Sequence, residues 1–251
     1  MKANTVFEKL CDFAPLEYAM GFDNAGFLIG DGESEVKNVV VCLDATTKAV
    51  DFAIENNANL IITHHPIIFN ALKSITPDSN NRVFKCLTNG ISVISMHTNL
   101  DIAVNGVNDT LAKKLELKNI VSVTDEEGFS FRKGILKEPM SADGFAKYLK
   151  SKLGGVIRFT DSGKTISAVA VCGGSGGDFW GLALKSKADA LVTADVKHSC
   201  FIDAAENNFS LFDAGHFHTE NVIVNAITER LQKEFGNIKF LPYNTGEIKT
   251  V

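Results

Sequence analysis

At 251 residues, with 45% hydrophobic and 22% charged side chains and five prolines, the chain has an ordinary globular composition and can bury roughly three quarters of its unfolded surface. The net charge of −5 argues against generic nucleic-acid binding, which draws its affinity from Lys and Arg. No apolar run approaches the ~18 residues of a membrane span, and the opening MKANTVFEKLCDFAPLEYAM lacks the layout of a secretory signal, so a soluble, cytoplasmic protein is expected.

Strand-like runs are predicted at Asn38–Leu43, Asn59–Thr63, Ile91–Met96, Thr165–Cys172, Ala188–Thr193 and Phe209–Asp213. Between the first two, ATTKAVDFAIENNA places Ala49, Val50, Ala53 and Ile54 at helical spacing. Arg82–Asn89, Gly106–Leu115, Ser141–Lys152 and Asn221–Phe235 are further amphipathic helix candidates. Strand, helix, strand in that order predicts α/β crossover units, with mixed sheets flanked by helices. The short acidic stretch Thr124–Gly128 is the best candidate boundary, giving units 1–125 and 126–251, with the C-terminal segment as the part free to pack back on the first unit. The cysteines Cys11, Cys42, Cys86, Cys172 and Cys200 are widely spaced without a CxxC pair, as expected for buried thiols in a reducing compartment.

The two halves are related. Val39–His65 aligns without a gap on the segment that begins VAVCGGSGG, so that Cys42 falls on Cys172, Ala58 on Ala188 and Thr63 on Thr193, a constant spacing of 130. His64 and His65 then fall on Ala194 and Asp195. A weaker match sets His97-x-x-x-Asp101 on His216-x-x-x-Glu220, at a spacing of 119. Each copy therefore puts polar residues just past two strand ends, where ligands of open α/β sheets bind.

Those residues suggest metal chemistry. Adjacent histidines on extended chain point to opposite sides, so His64 and His65 suit two neighbouring ions better than one. His97, Asp101, His216 and Glu220 add imidazoles and carboxylates, a mixture suited to Zn, Mn, Fe or Co. Helix capping is the competing reading for Asp101 and Glu220, since each precedes a helical stretch.

The segments Phe22–Asp31 (FDNAGFLIGD), Ile62–Phe69 (ITHHPIIF), His97–Asp101 with Asn105–Ala112, Cys172–Gly177 (CGGSGG) and Asp213–Glu220 (DAGHFHTE) resemble, in order and over essentially the full length, those of the family known as GTP cyclohydrolase I type 2, or NGG-one-interacting-factor-three-like. The resemblance is to the short members that lack an inserted middle domain. It implies two α/β units with a metal site between them, a ring-shaped homohexamer, and two divalent ions per chain, Zn, Fe or Mn, held by His64, His65, Asp101, His216 and Glu220. His97 matches a family histidine beside the metals. Where members read Thr-Gly-Asp or Thr-Gly-Glu, this chain reads Thr193-Ala194-Asp195.

The expected function is dinuclear-metal-dependent hydrolysis of a small, nucleotide-like substrate, with His97, Asp195 and His198 as candidates for moving protons. For the reaction in the family's name, water would add to purine C8, the ring would open and formate would leave. The alternative is a non-catalytic metal-handling or regulatory interaction protein. Gly163-Lys164-Thr165 lacks a phosphate loop's earlier glycine, Arg158 standing there. The run Gly173–Gly177 suits close backbone packing better than an anion nest. His218 is expected to face away from its neighbours.

Overall fold

The computed structural model describes residues 1–246 and 248. In chain order it forms α1 (Ala3–Phe13), β1 (Gly26–Ile29), β2 (Asn38–Cys42), α2 (Thr47–Glu55), β3 (Leu60–Thr63), α3 (Asn81–Thr88), β4 (Ser92–Ser95) and α4 (Thr98–Ile102). There follow α5 (Val107–Lys114), β5 (Lys118–Thr124), β6 (Ser130–Met140), α6 (Ala142–Leu153), β7 (Arg158–Phe159), β8 (Ile166–Val171), α7 (Trp180–Lys185), β9 (Ala190–Thr193), α8 (His198–Glu206), β10 (Ser210–Asp213) and α9 (His216–Glu220). The last elements are α10 (Val222–Glu234) and β11 (Lys239–Tyr243).

Two compact units result, Met1–Val104 with Ile223–Thr245, and Asn105–Val222 with Gly246. The division falls after Val104, not at Thr124–Gly128. Those acidic residues instead turn the antiparallel β5–β6 hairpin inside the second unit, where Asp125 Oδ1 accepts the N–H groups of Glu127 and Phe129 at 3.0 and 2.8 Å. A short Asp- and Gly-containing stretch is equally the composition of a turn, which composition alone does not separate from a linker.

The first unit's sheet has the order β1-β4-β3-β2-β11, parallel except for β1 at the edge. β2 and β3 lie inside it, and their unbroken apolar runs reflect burial on both faces: Val39 to Val41 and Leu60 to Ile62 are at most 1% exposed. Ala49, Val50 and Ala53 of α2 and Val83 and Cys86 of α3 pack against Val40, Ile61 and Val93. The α2 start is fixed by the Thr46 hydroxyl, which accepts the Ala49 N–H at 3.2 Å. Emptying such a position, as in Ile61→Ala, costs about 2–5 kcal/mol.

In the second unit the order is β5-β6-β8-β9-β10-β7, with β8, β9 and β10 parallel and the other neighbours antiparallel. Leu111 of α5 and Phe145 and Leu149 of α6 pack against Val169, Val171, Val192 and Phe212.

The internal repeat is present in the strand register. Val41 pairs with Ile62 in β2–β3 and Val171 with Val192 in β8–β9, both displaced by the 130 residues read from sequence. Each copy continues with a third parallel strand, an antiparallel edge strand beside it, and a five-residue helix. The second match needs adjustment. Thr63 pairs with Ser95 and Thr193 with Asp213, a spacing of 118 in the strands, whereas His97 and His216 differ by 119. Both copies have two residues between strand and helix, so the difference lies in the histidine: His97 directly precedes α4, whereas His216 is the first residue of α9 and follows Gly215 at φ +83°. Among the described residues, no helix is long and apolar enough to cross a membrane.

Candidate functional site

In the first unit the donors cluster past β3 and β4. The backbone beyond β3 keeps to its neighbour, His64 N–H donating to Cys42 O at 3.2 Å and His65 N–H to Leu43 O at 3.0 Å. His64 is buried at 2% exposure, and its Nδ1 donates to Met96 O at 2.8 Å. A carbonyl only accepts, so in the neutral ring the proton sits on Nδ1 and the lone pair on Nε2. Nε2 lies 3.5 Å from Asp101 Oδ1, on α4, a carboxylate only 6% exposed. The His65 Nδ1 meets Asp44 Oδ1 at 2.8 Å, and the His97 Nδ1 meets Asp23 Oδ1 at 2.7 Å. The rings of His64, His65 and His97 lie 5.0–5.6 Å apart between centroids, and each offers a nitrogen within 4.8 Å of the other two. Adjacent histidines thus present ligand atoms to one small region, because the chain past β3 no longer holds ideal strand geometry. Asp101 lies inside α4, and the helix that follows, α5, has Gly106 before its first residue with no side-chain bond capping it, so the capping reading of Asp101 has no support there.

The second unit supplies His216, the first residue of α9, and Glu220, one turn on and 3% exposed. The His216 Nδ1 lies 2.6 Å from Asp195 Oδ2, which also accepts from Ser175 Oγ at 2.7 Å, while the His216 Nε2 lies 2.8 Å from Glu220 Oε2. A neutral imidazole has one proton. With that proton on Nδ1, the Nε2 and Glu220 lone pairs face each other, and either a second ring proton or a shared cation satisfies them. Burial raises the Asp195 carboxyl pKa, but hydrogen bonds from His216 and Ser175 outweigh this and hold it below the usual range.

Glycines let the backbone pass this close. A Cβ on Gly174, which has φ +61°, would stand 2.0 Å from Glu220 Oε1, and one on Gly176 would stand 2.6 Å from Thr193 Oγ1. The loop N–H groups are used internally: Gly173 donates to Asn108 Oδ1, Gly174 to Thr219 Oγ1 and Gly176 to Thr193 Oγ1, at 2.8–3.1 Å. The run is a packing device. Ala194 needs no glycine either, since the left-handed residue of its turn is Asp195, at φ +49°.

His198 is exposed at the start of α8, and its ring makes no hydrogen bond among the described residues. His218 turns away to Leu153 O, 3.1 Å from its Nδ1. A pocket of about 310 Å³ opens beside Asp195, lined also by Ser175, Gly177, Asp178, Lys197 and Cys200. Sequence reasoning missed Asp23 and Asp44. Asp44 lies two residues past the end of β2, the same post-strand position as His65 past β3, so that signal was available. Asp23 precedes the first strand and had none of its own.

The curated relatives of this chain include two proteins named GTP cyclohydrolase 1 type 2 homolog. The one from Clostridium perfringens is 32% identical over 250 residues, 96% of this chain and 95% of its own length. The one from Clostridium acetobutylicum is 34% identical, covering 88% and 86%. Among solved structures, the Staphylococcus aureus hypothetical protein SA1388 superimposes with a TM-score of 0.93 at 29% identity, covering 100% of this chain and 99% of its own. The family model Duf34/NIF3 (NGG1p interacting factor 3) matches residues 1–246, and the chain belongs to that family.

Proposed function

We propose that the protein is a dinuclear-metal-dependent hydrolase of a small, nucleotide-like substrate, with two divalent ions per chain drawn from Zn, Fe or Mn. The donors are His64, His65 and Asp101 from the first unit and His216 and Glu220 from the second. One observation carries this reading. Four imidazoles each have Nδ1 on an oxygen acceptor, which directs Nε2 as the ligand atom, and two of them lie beside buried carboxylates. Mixed imidazole and carboxylate donors suit borderline divalent metals better than Ca or Cu(I).

Bound ions supply Lewis acidity, polarising an electrophilic carbon or phosphorus centre and making water acidic near neutral pH. The chain's own residues hold and orient. Asp195 fixes His216 and lines the pocket, where a carboxylate accepts hydrogen bonds from a substrate or from water. Ser175 and Lys197, the latter paired with Asp178 at 3.2 Å, line the same pocket and offer donors to a polar ligand. His97 is the imidazole for proton movement, and the exposed His198 is the second candidate. The relatives' name points to a purine nucleotide. Exposed Phe22 and Phe69, at 66% and 47%, support self-association, with a hexameric ring as the expected form. Five free cysteines, four of them buried, fit a cytoplasmic setting.

A screen of nucleotides with metal-loaded protein tests the proposal. The expected result is product formation that a chelator abolishes and added metal restores. Metal binding without turnover of any nucleotide would overturn the hydrolase and favour a metal-handling or regulatory protein.

A further inference from the structure

Asp23 lies between α1 and β1, and its side chain is fully buried. Both oxygens are engaged. Oδ1 accepts from His97 Nδ1 and from Asn24 N–H, each at 2.7 Å, and Oδ2 accepts from Thr98 N–H at 3.0 Å and Thr98 Oγ1–H at 2.5 Å. The Thr98 hydroxyl accepts in turn from Met20 N–H at 2.9 Å, and Asn24 Nδ2 donates to Ile68 O at 2.6 Å. The segment Met20–Asn24 thus ties the start of α4 to the chain just past His65. A buried carboxylate is costly unless its lone pairs are met, and four donors meet these. Burial pushes its carboxyl up, yet the bonds from His97 and Thr98 bring it down to about 2, so it stays ionised.

We propose that Asp23 is a positioning residue for the first unit's part of the site: its carboxylate fixes the orientation and Nδ1–H tautomer of His97 and, through Thr98, the helix start that places the donor Asp101. Asp44 and Asp195 also hold imidazoles, but with side chains 47% and 54% exposed. Asp23 differs in being sealed from water and in gripping a ring and a helix N-terminus together. Loss of its charge therefore reaches both the proton-moving imidazole and a candidate donor, where loss of Asp44 reaches only His65. The inference rests on the reading of Asp101 as a metal donor with His97 beside it.

Asp23→Asn tests it with little change of shape. An amide cannot meet this set of donors. If its oxygen keeps the Thr98 N–H, its NH₂ faces the His97 Nδ1 and drives the ring proton to Nε2; if its oxygen keeps His97, the NH₂ faces the Thr98 N–H. Two readouts apply: long-range ¹⁵N–¹H NMR of the histidine rings, and titration of chelator-stripped protein with Zn²⁺ and Co²⁺. In the wild type, His97 is expected as the Nδ1–H tautomer. In Asp23→Asn that tautomer is expected to be lost and the affinity for at least one ion to fall 10- to 100-fold, while Asp44→Asn leaves the His97 tautomer as it was. Wild-type affinity in Asp23→Asn, or an Nε2–H His97 in the wild type, would overturn the proposal. The wild-type tautomer decides the matter even if the variant fails to fold. Wild-type protein that binds neither ion would defeat the donor reading, and the tautomer measurement would still judge Asp23 separately.

Discussion

Gly174→Ala pushes directly on a candidate metal donor. The added methyl would stand 2.0 Å from Glu220 Oε1, where real contacts do not fall below 3.0 Å, so the carboxylate must withdraw by about 1 Å. Metal–ligand distances hold to roughly 0.2 Å, so a shift of that size removes Glu220 as a ligand in its present pose. The same substitution places an L-residue at φ +61°, which costs about 1–2 kcal/mol by itself. Gly163→Ala separates the two effects, because Gly163 has φ +70° and nothing within 4 Å of its Cβ position. Both variants are expected to lower the melting temperature by roughly 2–8 °C. Only Gly174→Ala is expected to lose metal, with at least a tenfold fall in Zn²⁺ affinity measured by competition with a chromophoric chelator. Equal metal affinity in the two variants would refute the placement of Glu220 among the donors.

Asp195→Asn is expected to keep the fold by circular dichroism and to lower hydrolysis of any nucleotide substrate at least tenfold, with weaker metal binding because His216 loses its carboxylate partner; full activity would remove Asp195 from the account. The Asp23 carboxyl is lowered in the folded protein from 3.8 to about 2, so its stabilisation is complete above pH 3.8 and is lost as the pH falls toward 2. Acid unfolding followed by circular dichroism should therefore be less steep across that window in Asp23→Asn than in the wild type. Light scattering is expected to show a species well above the chain's 27.2 kDa, and a monomer throughout the micromolar range would contradict self-association.

The central strands were legible because β2, β3 and β9 are parallel to both neighbours and buried, which writes unbroken apolar runs into the sequence. The repeat was legible for the same reason, since matched burial selects matched residues at Cys42 and Cys172 and at Thr63 and Thr193. The β5–β6 hairpin was not. No residue of β5 is buried, and β6 carries Gly134, Pro139 and several charged residues, so neither gives a clean alternation. β1 and β7 are short edge strands of four and two residues, too brief to show a period. α1 buries only Ala3, Val6 and Leu10, a narrow stripe in a polar segment. In the site, His64, His65, His97 and His216 announced themselves by type and by place after a strand. Asp44 shares that place after a strand and could have been read from it, whereas Asp23 is legible only once folding brings its carboxylate to an imidazole nitrogen distant in sequence. The unit division escaped because Thr124–Gly128 has the composition of a linker and the geometry of a turn.

The central claim is that these donors hold two divalent ions, and metal content tests it most directly. Protein purified anaerobically, dialysed and subjected to elemental analysis should contain close to two transition-metal ions per chain, and His64→Ala and Glu220→Ala should each lower that content. Wild-type protein without bound metal, or unchanged content in both variants, would contradict the account.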